Sequence, residues 1–457
     1  MLDNAGICAD YMAAFGGSHG GRVIELPPLL TLPLKARVDA HAGGRLDLEL
    51  WHREERQWSD WADRRYRACA FRQVRDRSPV VRIGIKDTID VAGMPTRLGL
   101  RHYRHYPHQS ASVLDCLDPN LIVAKVVTTE LNLGVGSGCI NPYSPHITPA
   151  GSSTGAAVAV AANICDVCLG TDVLGSVRWP AGNCGVVGLR MTHDPGRLRG
   201  MLPLAPSMDA LGWVARHARD LAYLWPSLAP DGTAEADDAQ QRRCRIGVVS
   251  NVTEGCDPAM LAALADACRQ LEGCGHLLQP LHLNDLWAAR GAAWELCARQ
   301  AWDSYQQWKD LFDGPELLES TRNALELGAQ VEDARHRRNL DRLATCRHNA
   351  VASFDQDGLD AWLLPLHPAP PREVGARRAG NSTIPSPADA DYEQRIGYTP
   401  LASIGGLPAI TVPVARHRVN GAPLSVQLIA RRGAERQLIL LAVQLEEAIG
   451  DLGFRPS

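Results

Sequence analysis

Two short turns rich in glycine and serine carry the residues best suited to chemistry. The first reads Pro-Ala-Gly-Ser-Ser-Thr-Gly (149–155), the second Asp-Val-Leu-Gly-Ser-Val-Arg-Trp-Pro-Ala (172–181). Ser152, Ser153 and Ser176 offer hydroxyls there, and a hydroxyl becomes a strong nucleophile once a neighbouring base takes its proton. Gly151 and Gly155 permit backbone angles that a Cβ resists. The second turn follows a short apolar strand and precedes a short helix in whose first turn Pro180 is tolerated. Backbone N–H groups at such a place are ready to hold a negative oxygen.

A run of very small side chains, Ala156 to Ala162, separates the two turns. It reads as a helix whose first amides Ser152 or Ser153 can cap. Packed closely on a sheet, such a helix fixes the two turns relative to one another. The chain has only four lysines (Lys35, Lys86, Lys125 and Lys309) beside 43 arginines. Val81, Ile83 and Ile85 alternate as in a half-buried strand, which puts Arg82, Gly84 and Lys86 on its other face. Taken alone, Lys86 either snorkels or pairs with Asp87, or serves as a base. As a base it must be neutral, and burial lowers a lysine pKa from its ordinary ~10.4.

The stretch from Pro149 to Gly188 resembles the amidase signature family. That pattern is G-G-S-S-[SG]-G, a small-residue helix, then G-T-D-x-G-G-S-[IV]-R-x-P-A. Ile85-Lys86-Asp87 and Ile89 to Thr96 resemble its K-D-[NT]-[IF]-D-V-x-G-x-P-T segment. Ala124-Lys125, Asn141-Pro142-Tyr143, Gly196-Arg197, Pro203 to Gly212, Gly405 to Ile410 and Ala422 to Ile429 follow other family elements in order, so the likeness spans about residues 80–450.

The resemblance implies Ser176 as the nucleophile, Ser152 as a bridging serine after a cis peptide bond, and Lys86 as the base. It implies an oxyanion hole from the backbone of Val173, Leu174, Gly175 and Ser176, with Ser153, Asp172, Arg178 and Trp179 near the substrate. The activity implied is hydrolysis of a C–N amide bond of a small or medium substrate through an acyl-serine, with no metal or cofactor. The alternatives are the glutaminase subunit of a tRNA-dependent amidotransferase, or an acyl-transferring or non-catalytic relative. The fold implied is α/β, a mixed, largely parallel sheet covered by helices. Residues 79–457 form one catalytic domain, mainly helical at about 284–355, and residues 1–78 wrap it as a helical or irregular segment. Leu174 departs from the pattern by replacing the first glycine of G-G-S. It cannot take a positive φ cheaply and narrows the pocket.

Composition sets the remaining bounds. A net charge of −4 over 457 residues argues against a nucleic-acid binder, and 45% hydrophobic with 21% charged residues is ordinary for a soluble globular chain. No apolar run of about 18 residues predicts a membrane span, and Met1 to Asn4 lacks a basic leader. Thirteen cysteines without regular spacing predict reduced thiols in the cytoplasm. Cys165 and Cys168 read as small buried residues rather than metal ligands. A homodimer stays open. Pro27, Pro28 and Pro33 argue against an early helix, and Leu46 to Gln73 reads as one. Trp287, Trp294, Trp302 and Trp308 read as core fillers, Asp231 to Gln240 as an acidic surface loop, and His367 to Pro400 as a long loop of the functional kind.

Overall fold

The strand that ends in Lys86 lies third in a continuous sheet of eleven strands. The computed structural model describes residues 25–73, 75–134, 136–229, 242–312, 317–356, 358–375 and 383–456. The strands are β1 (Cys69–Arg72), β2 (Ile83–Lys86), β3 (Ile122–Val126), β4 (Val167–Asp172), β5 (Val187–Arg190) and β6 (Ala210–Ala215). They continue with β7 (Arg245–Val249), β8 (Leu277–Leu281), β9 (Ala361–Pro365), β10 (Ala409–Arg416) and β11 (Pro423–Ala430). Their spatial order is β1-β3-β2-β4-β6-β5-β10-β11-β9-β7-β8.

The α/β architecture matches expectation, but the sheet is not largely parallel. Only β2–β3, β2–β4, β7–β8 and β7–β9 are parallel, and the other six pairings are antiparallel. A parallel pair needs a long crossover, such as the helix Pro258–Gly273 that carries β7 into β8. The middle of the sheet instead folds back on itself, with β10 and β11 joined by a short turn.

The helix Thr154–Ala161 is buried along its whole length. Small side chains bring it onto the strands: a Cβ added at Gly155 would stand 2.2 Å from Val127 N and 2.4 Å from Ala68 O. Cys165 and Cys168 fill space beside β2, where a Cβ on Gly84 would come within 3.0 and 2.6 Å of their sulfurs. Helices Arg290–Trp308, Glu319–Ala329 and Asp333–Gln356 make up most of the segment expected to be helical.

The prolines near the start open helices rather than forbid them. Pro28 begins Pro28–Thr31 and Pro33 precedes Leu34–Ala42, positions where a missing N–H costs nothing. Leu48–Tyr66 is helical as expected, and its Trp58 Nε1 donates to Ala162 O at 2.8 Å. The same N-terminal segment supplies β1, antiparallel to β3 at the sheet edge. Buried Asp166 accepts Arg37 Nη2 at 2.6 Å and Arg82 Nη2 at 2.9 Å, and both guanidiniums lie over the Trp51 ring. The acidic stretch Asp231 to Gln240 lies outside the described residues. Among the described residues no helix is long and apolar enough to cross a membrane.

Candidate active site

Because β2 and β4 run parallel, their C-terminal ends bring Lys86 beside Thr171. Lys86 Nζ lies 2.8 Å from Thr171 Oγ1 and 2.7 Å from Ser152 Oγ, with no solvent exposure. Burial pushes its pKa down from 10.5 to about 7, against the opposing pull of Asp209 and Asp172. As an ammonium, Lys86 donates to both hydroxyls. As a neutral amine, its lone pair can receive the Ser152 proton. Burial also lifts the Asp209 carboxyl to about 6, while the Ala205 and Leu204 N–H groups and Lys86 oppose the rise.

The Gly151–Ser152 peptide bond is cis. Ser152 is buried and Ser176 half-buried, and both line one cleft of about 60 Å³. The two turns are tied through the backbone, Ser153 N–H donating to Ser176 O at 3.0 Å. Three of the four expected oxyanion donors, the N–H groups of Val173, Leu174 and Ser176, carry no hydrogen bond among the described residues. The fourth does not fit: Gly175 N–H is engaged by Asp172 Oδ1 at 2.9 Å. Leu174 keeps a negative φ while Gly175 takes φ 118°, so the leucine stands in the turn without the backbone cost expected of it.

Asp172 and Arg178 hold the turn from behind and do not line the cleft. Both are fully buried, and Asp172 accepts Arg178 Nε at 3.0 Å, Arg178 Nη2 at 2.9 Å and Arg190 Nη1 at 3.2 Å. Burial alone would raise the Asp172 pKa, but these guanidiniums outweigh it and hold the carboxyl well below its usual range. The remaining Arg178 donors reach Thr399 O at 2.9 Å and Gln427 Oε1 at 3.0 Å. Ser153 is likewise removed from the cleft. It precedes the small-residue helix, but its hydroxyl donates to Thr171 O at 3.2 Å and caps nothing.

Of the residues expected near substrate, Trp179 alone lines the cleft, and its indole Nε1 finds no acceptor among the described residues. Leu133, Leu174, Leu204, Trp294, Cys297 and Ile384 add an apolar wall. Most of that wall is not legible in the sequence; Trp294 reads there as a core filler, and it packs against the core as well as lining the cleft. The i, i+3 spacing of Trp294 and Cys297 was the available signal, since it puts both on one helix face. Thr171, the second contact of Lys86, was visible only as part of the Gly-Thr-Asp run. Among the described residues no cluster of His, Cys, Asp or Glu could hold a metal ion.

The cleft at the strand ends thus brings a buried lysine onto one serine and holds a second serine on a turn of free amides. The family model described as Amidase matches residues 80–439, and the chain belongs to this family of enzymes acting on C–N amide bonds. Its relatives include a glutamyl-tRNA(Gln) amidotransferase subunit of Thermus thermophilus, 28% identical over 409 residues, 80% of this chain and 84% of that one. They also include the 2-amino-5-chloromuconic acid deaminase of Comamonas testosteroni, 30% identical over 390 residues, 80% and 81% of the two chains. Among solved structures, a 6-aminohexanoate cyclic dimer hydrolase complexed with substrate superposes with a TM-score of 0.78 at 20% identity, covering 94% of this chain and 99% of that one. The peptide amidase of Stenotrophomonas maltophilia does so with a TM-score of 0.73 at 21% identity, covering 92% and 97%.

Proposed function

We propose that the protein hydrolyses a small or medium amide through an acyl-Ser176 intermediate, with Ser152 relaying protons to Lys86. Neutral Lys86 takes the Ser152 proton while Ser152 takes that of Ser176, whose oxygen adds to the amide carbonyl. The N–H groups of Val173, Leu174 and Ser176 hold the resulting oxyanion, and removing one such donor costs ~3–4 kcal/mol in transition-state stabilisation. When the C–N bond breaks, Ser152 passes its proton to the departing amine and is reprotonated from Lys86. Water then adds to the acyl carbon, its proton returns by the same relay, and the acid leaves Ser176. No metal or cofactor enters this scheme. The observation that carries it is the 2.7 Å contact of a fully buried Lys86 with Ser152, beside Ser176 on one cleft wall.

Similarity to the Thermus amidotransferase chain favours a second reading, a glutaminase subunit. Free glutamine carries an ammonium and a carboxylate. Among the described residues, the cleft wall offers no Asp, Glu, Lys or Arg side chain to meet them, which supports the first reading. A cytoplasmic setting fits twelve described cysteines that are all free.

Mass spectrometry after a fluorophosphonate probe tests the nucleophile. The label is expected on Ser176, and Ser176→Ala is expected to abolish labelling and turnover together. Labelling of a different serine that persists in Ser176→Ala would reject the scheme.

A further inference from the structure

Adjoining the cleft is a second cavity of about 20 Å³, and the two share Leu133 and Leu204 in their walls. One stripe of the helix Arg290–Trp308 runs past both. Trp294 and Cys297 line the first cavity, and Ala301, Ser304, Tyr305 and Trp308 line the second. The spacing 294, 297, 301, 305, 308 is that of a single helix face. At 1.5 Å per residue the stripe covers roughly 21 Å, from the mouth beside Trp179 to the half-exposed Trp308.

The divider consists of two buried leucines from two cross-bonded loops. Leu133 follows Leu131 and Asn132, both at positive φ, a backbone path that non-glycine residues adopt at a cost. Leu204 is fixed by its own N–H, which donates to Asp209 Oδ2 at 3.0 Å. Asn132 Nδ2 reaches Leu202 O at 3.4 Å and joins the loops. Both leucines are almost fully buried, at 4% and 6% exposure.

We infer that the acyl part of the substrate is an unbranched apolar chain lying along this helix stripe, and that Leu133 and Leu204 set its maximum length. This rests on the amidase reading of the same site. The cleft wall that runs to Leu133 and Leu204 presents leucine, isoleucine and indole surface. Such a wall favours CH₂ groups and gives nothing back to a charged group taken out of water. The chain is limited by the divider and not by the protein surface, because space continues on the far side.

The test is kcat/KM for straight-chain primary amides from propionamide to decanamide, measured on wild type, Leu133→Ala and Leu204→Ala. Wild type is expected to show a sharp fall beyond one chain length. Each variant should move that fall to longer chains and raise the octanamide-to-propionamide ratio at least tenfold. The ratio cancels any general loss of activity, and Leu133→Val and Leu204→Val read the same shift, smaller, if an alanine variant does not fold. Adding Ala301→Leu to Leu204→Ala refills the far cavity and should return the ratio toward wild type. An unchanged ratio in folded variants at both positions would overturn the inference. So would wild type that carries the probe on Ser176 yet prefers glutamine to every alkanamide, which would leave the acyl-Ser176 mechanism intact and favour the glutaminase reading. Absence of Ser176 labelling would sink both.

Discussion

Lys86 and Lys125 sit on neighbouring strands, both fully buried, yet their surroundings differ. Lys125 is held by Thr96 Oγ1 at 2.8 Å and by Asp87 Oδ1 at 3.4 Å. The acid next to Lys86 in the chain is thus bound to the other lysine, and Lys86 keeps only hydroxyl partners. Strand alternation reads this strand as half-buried, whereas all four residues of β2 are buried. It could not settle the claim of Asp87, because the competing lysine arrives from β3, 38 positions further along the chain. A base must be unprotonated, so the rate should rise as pH increases through about 7, where Lys86 loses its proton, and level off above. Lys86→Arg keeps a cation that holds its proton in this range. The expected loss is ~10²–10⁴-fold in kcat/KM, with the rise through pH 7 gone. Near wild-type hydrolysis by Lys86→Arg would make Lys86 a structural cation.

Secondary elements show how small residues position the site and where pattern reading stops. The alanine-rich helix was legible because nothing larger than valine could lie so close to the sheet. What Ser153 does before that helix was not legible, since the competing acceptor, Thr171 O, belongs to β4. Trp294 and Trp302 pack against the core as expected, yet Trp294 also lines the cleft: periodicity identifies a face but not everything that face meets. Gly155→Ala tests the close approach. Its methyl would press on Val127 N and Ala68 O, backbone atoms that cannot rotate away. Overpacking of this kind costs ~1–3 kcal/mol or more. Thermal unfolding should show a lower Tm, with labelling of Ser176 weakened as the two turns move apart. A Tm equal to wild type would mean that the helix start is looser than described.

At the scale of the molecule, the sheet is continuous from an edge strand before residue 79 to one formed by residues 277–281. Sequence order anticipated strands and helices in alternation but not the antiparallel centre. Pairing direction depends on which distant strands become neighbours, as when β5 lies between β6 and β10. The N-terminal helices are pinned by Asp166 between Arg37 and Arg82. Removing one partner of a buried ion pair leaves the others uncompensated, typically at ~3–5 kcal/mol. Asp166→Asn should therefore lower Tm and open the segment 25–66 to limited proteolysis before the rest of the chain. Cleavage that begins elsewhere, at unchanged Tm, would show that the segment is held by its apolar contacts alone.

The clasp behind the Ser176 turn has a consequence for the order in which the protein is made. Arg178 shapes the turn through Asp172, yet it is itself held by Gln427, which follows it by 249 residues. At a ribosomal pace of roughly 5–20 residues per second, the serine is translated roughly 12–50 s before the residue that completes its frame. Under the proposed mechanism, a chain cut short before Gln427 is expected to carry Ser176 without the contact that steadies Arg178 behind its turn.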